Sequence, residues 1–445
     1  MKNLNVNFDR INGNIKRINA VNNGPAGTRT TMAGNFKNYD ELDIPYARLH
    51  DSAFYAGNYG GEFAVDVHRI FPDFDADVDD PASYLFSPTD SYLEDILTVG
   101  TKIYYRLGAS IEHGYKKGTI PPKDYLKWAK ICEHIIRHYT EGWADGFNHD
   151  IEYWEIWNEF DCKNPDGSNP CWQGTDEEFF DFFNVVFNHL KSSFPSLKIG
   201  GPAICSPESG STNAFLDYVV KNDIKLDFFS YHWYGATMEA LTNRIISVNK
   251  NLKAHGLENL ETHLNEWNYV RAWTGEDYKY SMNTLKNHKG ASFIAAVMCT
   301  AQKEKLDMIM YYDARPTAWN GIFGSYGAVF KPFYVYKAAK DIVALKNSAD
   351  IDYDDNIYAI ASSSGDESAL LFTFYNEDDN APTEKLKINF SGAKKGEILK
   401  AEFYLINKEN NLELVKSEYF TSEKSAVILS VNNYDVYLVK FKNEI

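Results

Sequence analysis

Eight short apolar runs separated by stretches of helical spacing fill the chain from Ile15 to Leu345, and few folds accept that pattern. The runs are IKRINAV (15–21), IPYARLH (44–50), KIYYRLG (102–108), EYWEIW (152–157), LKIGGPA (197–203), LDFFSYH (226–232), THLNEW (262–267) and MIMYYD (308–313). Between them, Pro122 to Tyr139 places Trp128, Ile131, Ile135 and Ile136 at helical intervals. Thr175 to Glu178 is a capping-box start for the Phe-rich helix that follows. Asn283 to Glu304 and Pro332 to Leu345 are also predicted helices. Strand and helix alternating eight times predicts an α/β fold, a (β/α)8 TIM barrel over 15–345. A doubly wound open sheet would want a Gly-rich phosphate turn after the first strand; NNGPAGT follows Val21 and lacks that spacing.

Beyond about Asn347 the helical period stops. Short alternating runs take over (NIYAIASSS, SALLFTFYN, EKLKINF, LKAEFYLI, SAVILSV, DVYLVKF), separated by turn residues such as SGDE and NEDDN. This predicts a C-terminal antiparallel β-sandwich domain over 346–445, to which NLNVNF within 1–14 can add a strand. A chain of 445 residues with 44% hydrophobic residues can bury both cores.

The net charge of −17 provides no basic stripe, so nucleic acid is not an expected partner. No apolar run is long enough to span a bilayer, so no membrane association is expected. MKNLNVNFDRINGNIKRI has no apolar leader core, and a cytoplasmic location is the expectation. The five cysteines (Cys132, Cys162, Cys171, Cys205, Cys299) show no short metal spacing and read as reduced thiols. Cys162 and Cys171 flank a Pro/Gly/Asn-rich loop and could bridge in an oxidising medium.

Two strands end in carboxylates. IEYWEIWNEFD (151–161) delivers Asn158 and Glu159, and ETHLNEWNY (261–269) delivers Glu266. A charged strand end suits a barrel rim, where catalytic groups collect, and two facing carboxylates are what glycosidic bond cleavage requires. A rim salt bridge is the plain alternative for Glu159 taken alone. WEIWNE with a strand-end Glu about a hundred residues later resembles clan A glycoside hydrolases. INAVNNGP (18–25), the RLH of the second strand and the trailing sandwich narrow the resemblance to glycoside hydrolase family 39, which includes β-xylosidases and α-L-iduronidases.

The resemblance implies that Glu159, ending the fourth strand, is the acid/base, Glu266, ending the seventh, the nucleophile, and Asn158 the amide on the sugar 2-hydroxyl. Asn265 and Trp267 depart mildly from the family's usual neighbours of the nucleophile. The reaction implied is retaining hydrolysis, most simply by an exo-acting β-xylosidase-type enzyme on plant-derived oligosaccharides. An arabinosidase, β-galactosidase or glucosidase, iduronidase-like or endo-acting enzyme fits the same carboxylates, and a non-catalytic carbohydrate-binding protein is the reading from another class. The loops carry few basic residues to meet a uronic acid. An ionised nucleophile disfavours a second charge beside it, the condition under which its partner carries a proton.

Arg48 and His50 lie two apart on the second strand and face one way. Arg48 either keeps the nucleophile ionised or forms a structural pair with Glu155, and His50 shares that choice. His232 closes the sixth strand, with Trp233 and Tyr234 after it, and in the resemblance such residues line the sugar site. His113, Trp319 and Phe323 complete the candidate substrate-binding set; Trp319 reads equally as a stacking platform or as packing. Tyr269, Asp313 and Asn320 lie nearby in sequence. No metal or cofactor is expected: His263 and Glu266 should point to opposite faces of a strand, and the first strand has no His-x-His pair. The expected partner is a glycoside, and a homo-oligomer is allowed.

Overall fold

The protein is described from a computed structural model covering residues 1–25, 34–50, 64–111, 118–316, 321–365, 367–391, 398–421 and 424–444. After the N-terminal strand β1 (Lys2–Asn14), eight strands close a parallel barrel. They are β2 (Arg17–Asn22), β3 (Tyr46–Leu49), β4 (Lys102–Leu107), β5 (Tyr153–Ile156), β6 (Lys198–Ile204), β7 (Phe228–Gly235), β8 (Glu261–Tyr269) and β9 (Met308–Tyr311). Each falls within or overlaps one of the eight apolar runs. The inward side chains Ala20, Tyr46, Tyr104, Tyr153, Phe228, Met308 and Met310 fill the lower barrel, so it is a packed core. Outward side chains meet the helical layer in a second, continuous core.

The helix Tyr125–Glu141 starts on the Asp124 cap and ends at Gly142, whose φ of 74° terminates it in the left-handed region. The helix Asp176–Ser193 carries the expected capping box of Thr175 and Glu178. Its buried face of Phe179, Phe180, Phe182, Phe183 and Phe187 holds the segment after β5: Phe160 stacks on Phe179 at 4.1 Å, and Trp172 meets Phe179 edge-on at 5.3 Å. Each such side chain withdrawn from water contributes about 1.5–3 kcal/mol. The predicted helix 283–304 is two pieces, Gly275–Thr284 and His288–Lys303. The break falls where the Asn287 side chain accepts from the amides of Lys289 (2.8 Å) and Gly290 (3.2 Å), starting a new helix.

The remaining strands are β10 (Asn347–Tyr353), β11 (Ile357–Ser364), β12 (Glu367–Phe374), β13 (Glu384–Ser391), β14 (Ile398–Ile406), β15 (Asn411–Phe420), β16 (Ala426–Val431) and β17 (Val436–Glu444). With β1 they form one hydrogen-bonded sheet in the order β15-β14-β17-β12-β11-β10-β1-β13-β16. Strands distant in that order meet face to face, as Phe8 and Phe390 each reach Phe441 at 5.0 Å, so the sheet wraps over its own apolar core as a sandwich does. All its pairs are antiparallel except β1 with β13, because the chain's first strand inserts between two later ones.

The sheet docks on the helix His288–Lys303, where Ser292 and Thr373 share a hydrogen bond of 2.7 Å. Tyr269 donates to Glu377 at 2.7 Å and Lys289 pairs with Asp379 at 2.8 Å. Tyr269 is therefore a docking residue facing the sheet. No helix among the described residues is long and apolar enough to cross a membrane.

Candidate active site

β5 stops at Ile156, and the backbone then turns through left-handed conformations at Trp157 (φ 73°) and Glu159 (φ 49°). Such conformations cost about 1–3 kcal/mol each for a side-chain-bearing residue and persist only where packing fixes them. Here Trp157 is fully buried, its Nε1 donates to the Cys171 carbonyl at 3.0 Å, and its ring meets Trp172 edge-on. Gly201 (φ 131°) lets β6 pass close beneath: a Cβ there would lie 2.8 Å from the Ile156 carbonyl oxygen. The Glu159 amide then donates to the Ala203 carbonyl at 3.0 Å. The turn sends Asn158 into the barrel mouth and Glu159 into the cleft above it.

Glu266 reaches the same place by a different device. β7 and β8 pair Tyr231 with Leu264 and then His232 with Glu266, so Asn265 is an extra residue, a β-bulge. Strict alternation, which puts His263 and Glu266 on opposite faces, fails at that residue. His263 packs in the lower barrel against Phe228, while Asn265 donates to Glu155 at 2.5 Å and Glu266 faces the upper mouth.

Arg48 is the hub. Its Nε donates to Glu155 (2.6 Å), one terminal nitrogen to Glu266 Oε1 (2.7 Å) and Asn22 (3.0 Å), the other to Asn158 Oδ1 (2.7 Å). Arg48 thus touches both carboxylates weighed for it in the sequence, Glu155 and Glu266, at once. Glu155 is satisfied further by Ser230 at 2.6 Å. Tyr234 donates to Glu266 Oε2 at 2.8 Å, and His50 Nε2 lies 3.4 Å from Oε1. Burial favours the neutral form of Glu266, but the charges of His232, His50 and Arg48 and the Tyr234 hydroxyl outweigh it, holding the carboxyl well below its usual range.

His232 stands between the two carboxylates. Its Nδ1 is 2.7 Å from Glu159 Oε1 and 3.6 Å from Glu266 Oε2. Burial lowers its affinity for a proton; the charge of Glu266 and the hydrogen bond to Glu159 override that and raise it. Glu159, His232 and Glu266 each place one atom within 4.8 Å of the others, so the two carboxylates face one another at close range.

The cleft holds about 1480 Å³. Glu159, Glu266, His50, His232 and Tyr234 all line it. Trp233 touches its wall but is 4% exposed and stacks on Phe293 of the helix behind, as alternation along β7 requires. Phe323 is likewise a wall residue, fully buried and stacked on Tyr39. Asp313 pairs with Arg315 at 2.5 Å. His113, Trp319 and Asn320 lie outside the described residues.

The sequence reading passed over several groups. Trp273, on the cleft lip and 58% exposed, meets Tyr234 edge-on at 5.2 Å; its signal was its place just past the seventh strand. Lys163, Arg244, Lys286 and Arg315 also line the cleft, so basic residues dispersed in the sequence converge in space. Three of them face carboxylates: Asp176 at 3.0 Å, Glu208 at 2.9 Å and Asp313. Asn22, Ser230 and Asn265 complete the polar shell under the carboxylates; Asn22 and Asn265 lie within INAVNNGP and THLNEW, but no local signal assigns them this place. All five cysteines are free thiols, with Cys162 and Cys171 unbridged beside Glu159.

Comparison with known proteins agrees with this geometry. The chain is 25% identical over 260 residues to a beta-xylosidase of Caldicellulosiruptor saccharolyticus, covering 54% of this chain and 48% of that one. It is 32% identical over 124 residues to a beta-xylosidase of Geobacillus stearothermophilus, covering 27% and 23%. It thus spans about half or less of the length of these relatives. Among solved structures, a glucosidase from Croceicoccus marinus superposes over the whole of both chains with a TM-score of 0.81 at 21% identity, a likeness of fold. Residues 62–347 match the profile of Glycosyl hydrolases family 39. With nearly two thirds of its length so matched, the chain belongs to glycosyl hydrolases family 39.

Proposed function

We propose that the protein is a retaining glycoside hydrolase, most simply an exo-acting β-xylosidase-type enzyme on plant-derived oligosaccharides. The observation that carries this reading is the close approach of the Glu159 and Glu266 carboxylates across His232. Retaining enzymes hold their carboxyl groups about 5–5.5 Å apart, whereas inverting ones need about 6.5–9.5 Å to admit a water. Glu266 is the nucleophile, since Arg48, His50 and Tyr234 keep it ionised. Among the described residues its Oε1 is held by the guanidinium and its Oε2 by a neutral hydroxyl and the more distant His232, so Oε2 is the attacking atom. In the first step the bond from Oε2 to the anomeric carbon forms as the bond to the leaving oxygen breaks, and Glu159 gives that oxygen its proton. In the second, water attacks the same carbon, Glu159 takes the water's proton, and Glu266 leaves as a carboxylate. Asn158, with its oxygen on Arg48, presents its NH2 to the sugar 2-hydroxyl.

The xyloside preference follows the two beta-xylosidase relatives. A uronic acid substrate is the second reading, favoured by Lys163, Arg244, Lys286 and Arg315; the carboxylate partners of three of them weigh against it. The test is hydrolysis of aryl β-xyloside, β-glucoside, β-galactoside, α-L-arabinopyranoside, α-L-arabinofuranoside and α-L-iduronide, with Glu266→Ala alongside. Release of the β-xyloside aglycone, lost in the variant, supports the reading. Release only from the iduronide selects the second. No release from any glycoside would set aside exo action.

A further inference from the structure

Three of the five thiols gather at the base of the cleft, and none has a part in the proposed reaction. Cys171 Sγ lies 3.8 Å from Glu159 Oε2, and Glu159, Cys162 and Cys171 each offer a ligand atom within 4.8 Å of the other two. The cluster is set by backbone contacts. The Cys162 amide donates to the Glu159 carbonyl at 3.0 Å, and the Cys171 amide donates to Asn169 at 2.8 Å. Asp161 ties the third thiol's segment to the same turn, accepting from the Cys205 amide at 3.0 Å and the Ser206 amide at 2.8 Å. Glu159, Cys162 and Cys205 line the cleft, so a small ion entering it reaches the cluster.

We propose that Glu159, Cys162 and Cys171 form a binding site for a thiophilic divalent cation, and that its occupation withdraws the Glu159 carboxylate from the reaction. Zinc takes sulfur at about 2.3 Å and carboxylate oxygen at about 2.0–2.2 Å in a tetrahedron, which sets ligand atoms about 3.5–3.8 Å apart. The observed Cys171–Glu159 separation already has that span. Two sulfurs and one oxygen favour zinc or cadmium over the hard ions magnesium and calcium. The fourth position opens toward Cys205 or solvent. This cation would stop the reaction; nothing in the double displacement calls for it.

A disulfide between Cys162 and Cys171 is the competing use of the same pair. The Cys162 thiol is raised by its hydrogen bond with Cys171 and further by burial and the charge of Glu159. At Cys171 the bond with Cys162 lowers the thiol, but burial and Glu159 override it. In the reduced chain both thiols are free and the pair remains open to a cation, which displaces the thiol protons on binding.

The binding half of the proposal stands without the proposed function; the inhibitory half rests on Glu159 being the acid/base. The test titrates the reduced full chain with CdCl2, following sulfur-to-cadmium charge-transfer absorption and aryl glycoside hydrolysis in parallel. One cadmium per chain, a charge-transfer band, inhibition reversed by EDTA and indifference to MgCl2 are expected. In Cys162→Ser/Cys171→Ser, cadmium affinity should fall by more than about 100-fold, beyond the loss typical of a supporting residue. The rate of this variant relative to its own metal-free rate should resist cadmium accordingly. Should the double variant not fold, Cys162→Ser alone, at the less buried thiol, is read the same way. A persisting band or undiminished inhibition in these variants would overturn the site. A band with hydrolysis unaffected would overturn the inhibitory claim, while Glu159→Ala kinetics judge the acid/base reading separately.

Discussion

At the N-terminal mouth of the barrel, Glu152 and Glu261 share the Lys198 ammonium at 3.0 and 2.5 Å, and Tyr46 and Tyr153 donate to them at 2.9 Å each. At the C-terminal mouth, Glu155 and Glu266 share the Arg48 guanidinium at 2.6 and 2.7 Å, and Tyr234 donates to Glu266. The inventories are nearly the same: two carboxylates, one cation between them, phenol donors. Burial separates them. The three charged side chains of the lower cluster are about 30% exposed, where water screens an ion pair to roughly 1 kcal/mol or less. The upper ones are 0–6% exposed, so water screens their fields far less and every charge needs a partner. The upper mouth also has a third carboxylate, Glu159, balanced by the titratable His232. The same residue types staple one end of the barrel and, buried and with one acid added, form the proposed reactive site at the other.

The upper mouth should respond most strongly at Glu266, the proposed nucleophile. Glu266→Ala should lower kcat by about 10⁴–10⁶-fold, the scale on which loss of a nucleophile acts, while leaving the far-UV spectrum unchanged. Glu159→Ala should lose about 10²–10⁴-fold on a substrate with a poor leaving group. With an activated aryl glycoside, azide should restore its turnover and give the glycosyl azide. An unchanged rate in either variant would remove the assignment. Arg48→Lys keeps the charge but cannot hold Glu155, Glu266 and Asn158 at once; a loss of about 10–100-fold in kcat is expected.

The smallest effect belongs to the lower mouth. Glu261→Gln should leave kcat within about twofold and cost about 1 kcal/mol of stability or less in denaturant unfolding. Burial raises the Glu261 carboxyl, but hydrogen bonds from His263, Lys198 and Tyr153 outweigh it and bring it from 4.5 down to about 2. A depressed folded-state value means stability present above the unfolded value and lost as pH falls from about 4.5 toward 2. The Tm gap between the native chain and Glu261→Gln should therefore be full at pH 7 and narrow between those limits. A gap that widened on acidification would show that the lower cluster does not hold Glu261 ionised.

The barrel was legible because eight apolar runs and a capping box are local signals, and Glu159 and Glu266 because each ends such a run. Two features that aim these carboxylates were not. The left-handed turn at Trp157 and Glu159 has no glycine to announce it; it depends on Gly108 and Gly201 of neighbouring strands leaving room. The bulge at Asn265 breaks the alternation that would set His263 and Glu266 on opposite faces. Alternation along β7 also turns the Trp233 ring toward Phe293 on the helix behind, so it meets the cleft only at its wall. The basic groups of the cleft and the thiols around Glu159 converge from separate loops, which spacing along a chain cannot report.

The most direct test of the account is to trap the intermediate. The protein is incubated with the activated 2-deoxy-2-fluoro derivative of whichever glycoside it hydrolyses best, and the modified peptide is identified by mass spectrometry. The account predicts time-dependent inactivation with one fluoroglycosyl group per chain, esterified to Glu266. A label on another residue, or turnover of the parent glycoside with inversion of the anomeric centre, would contradict it.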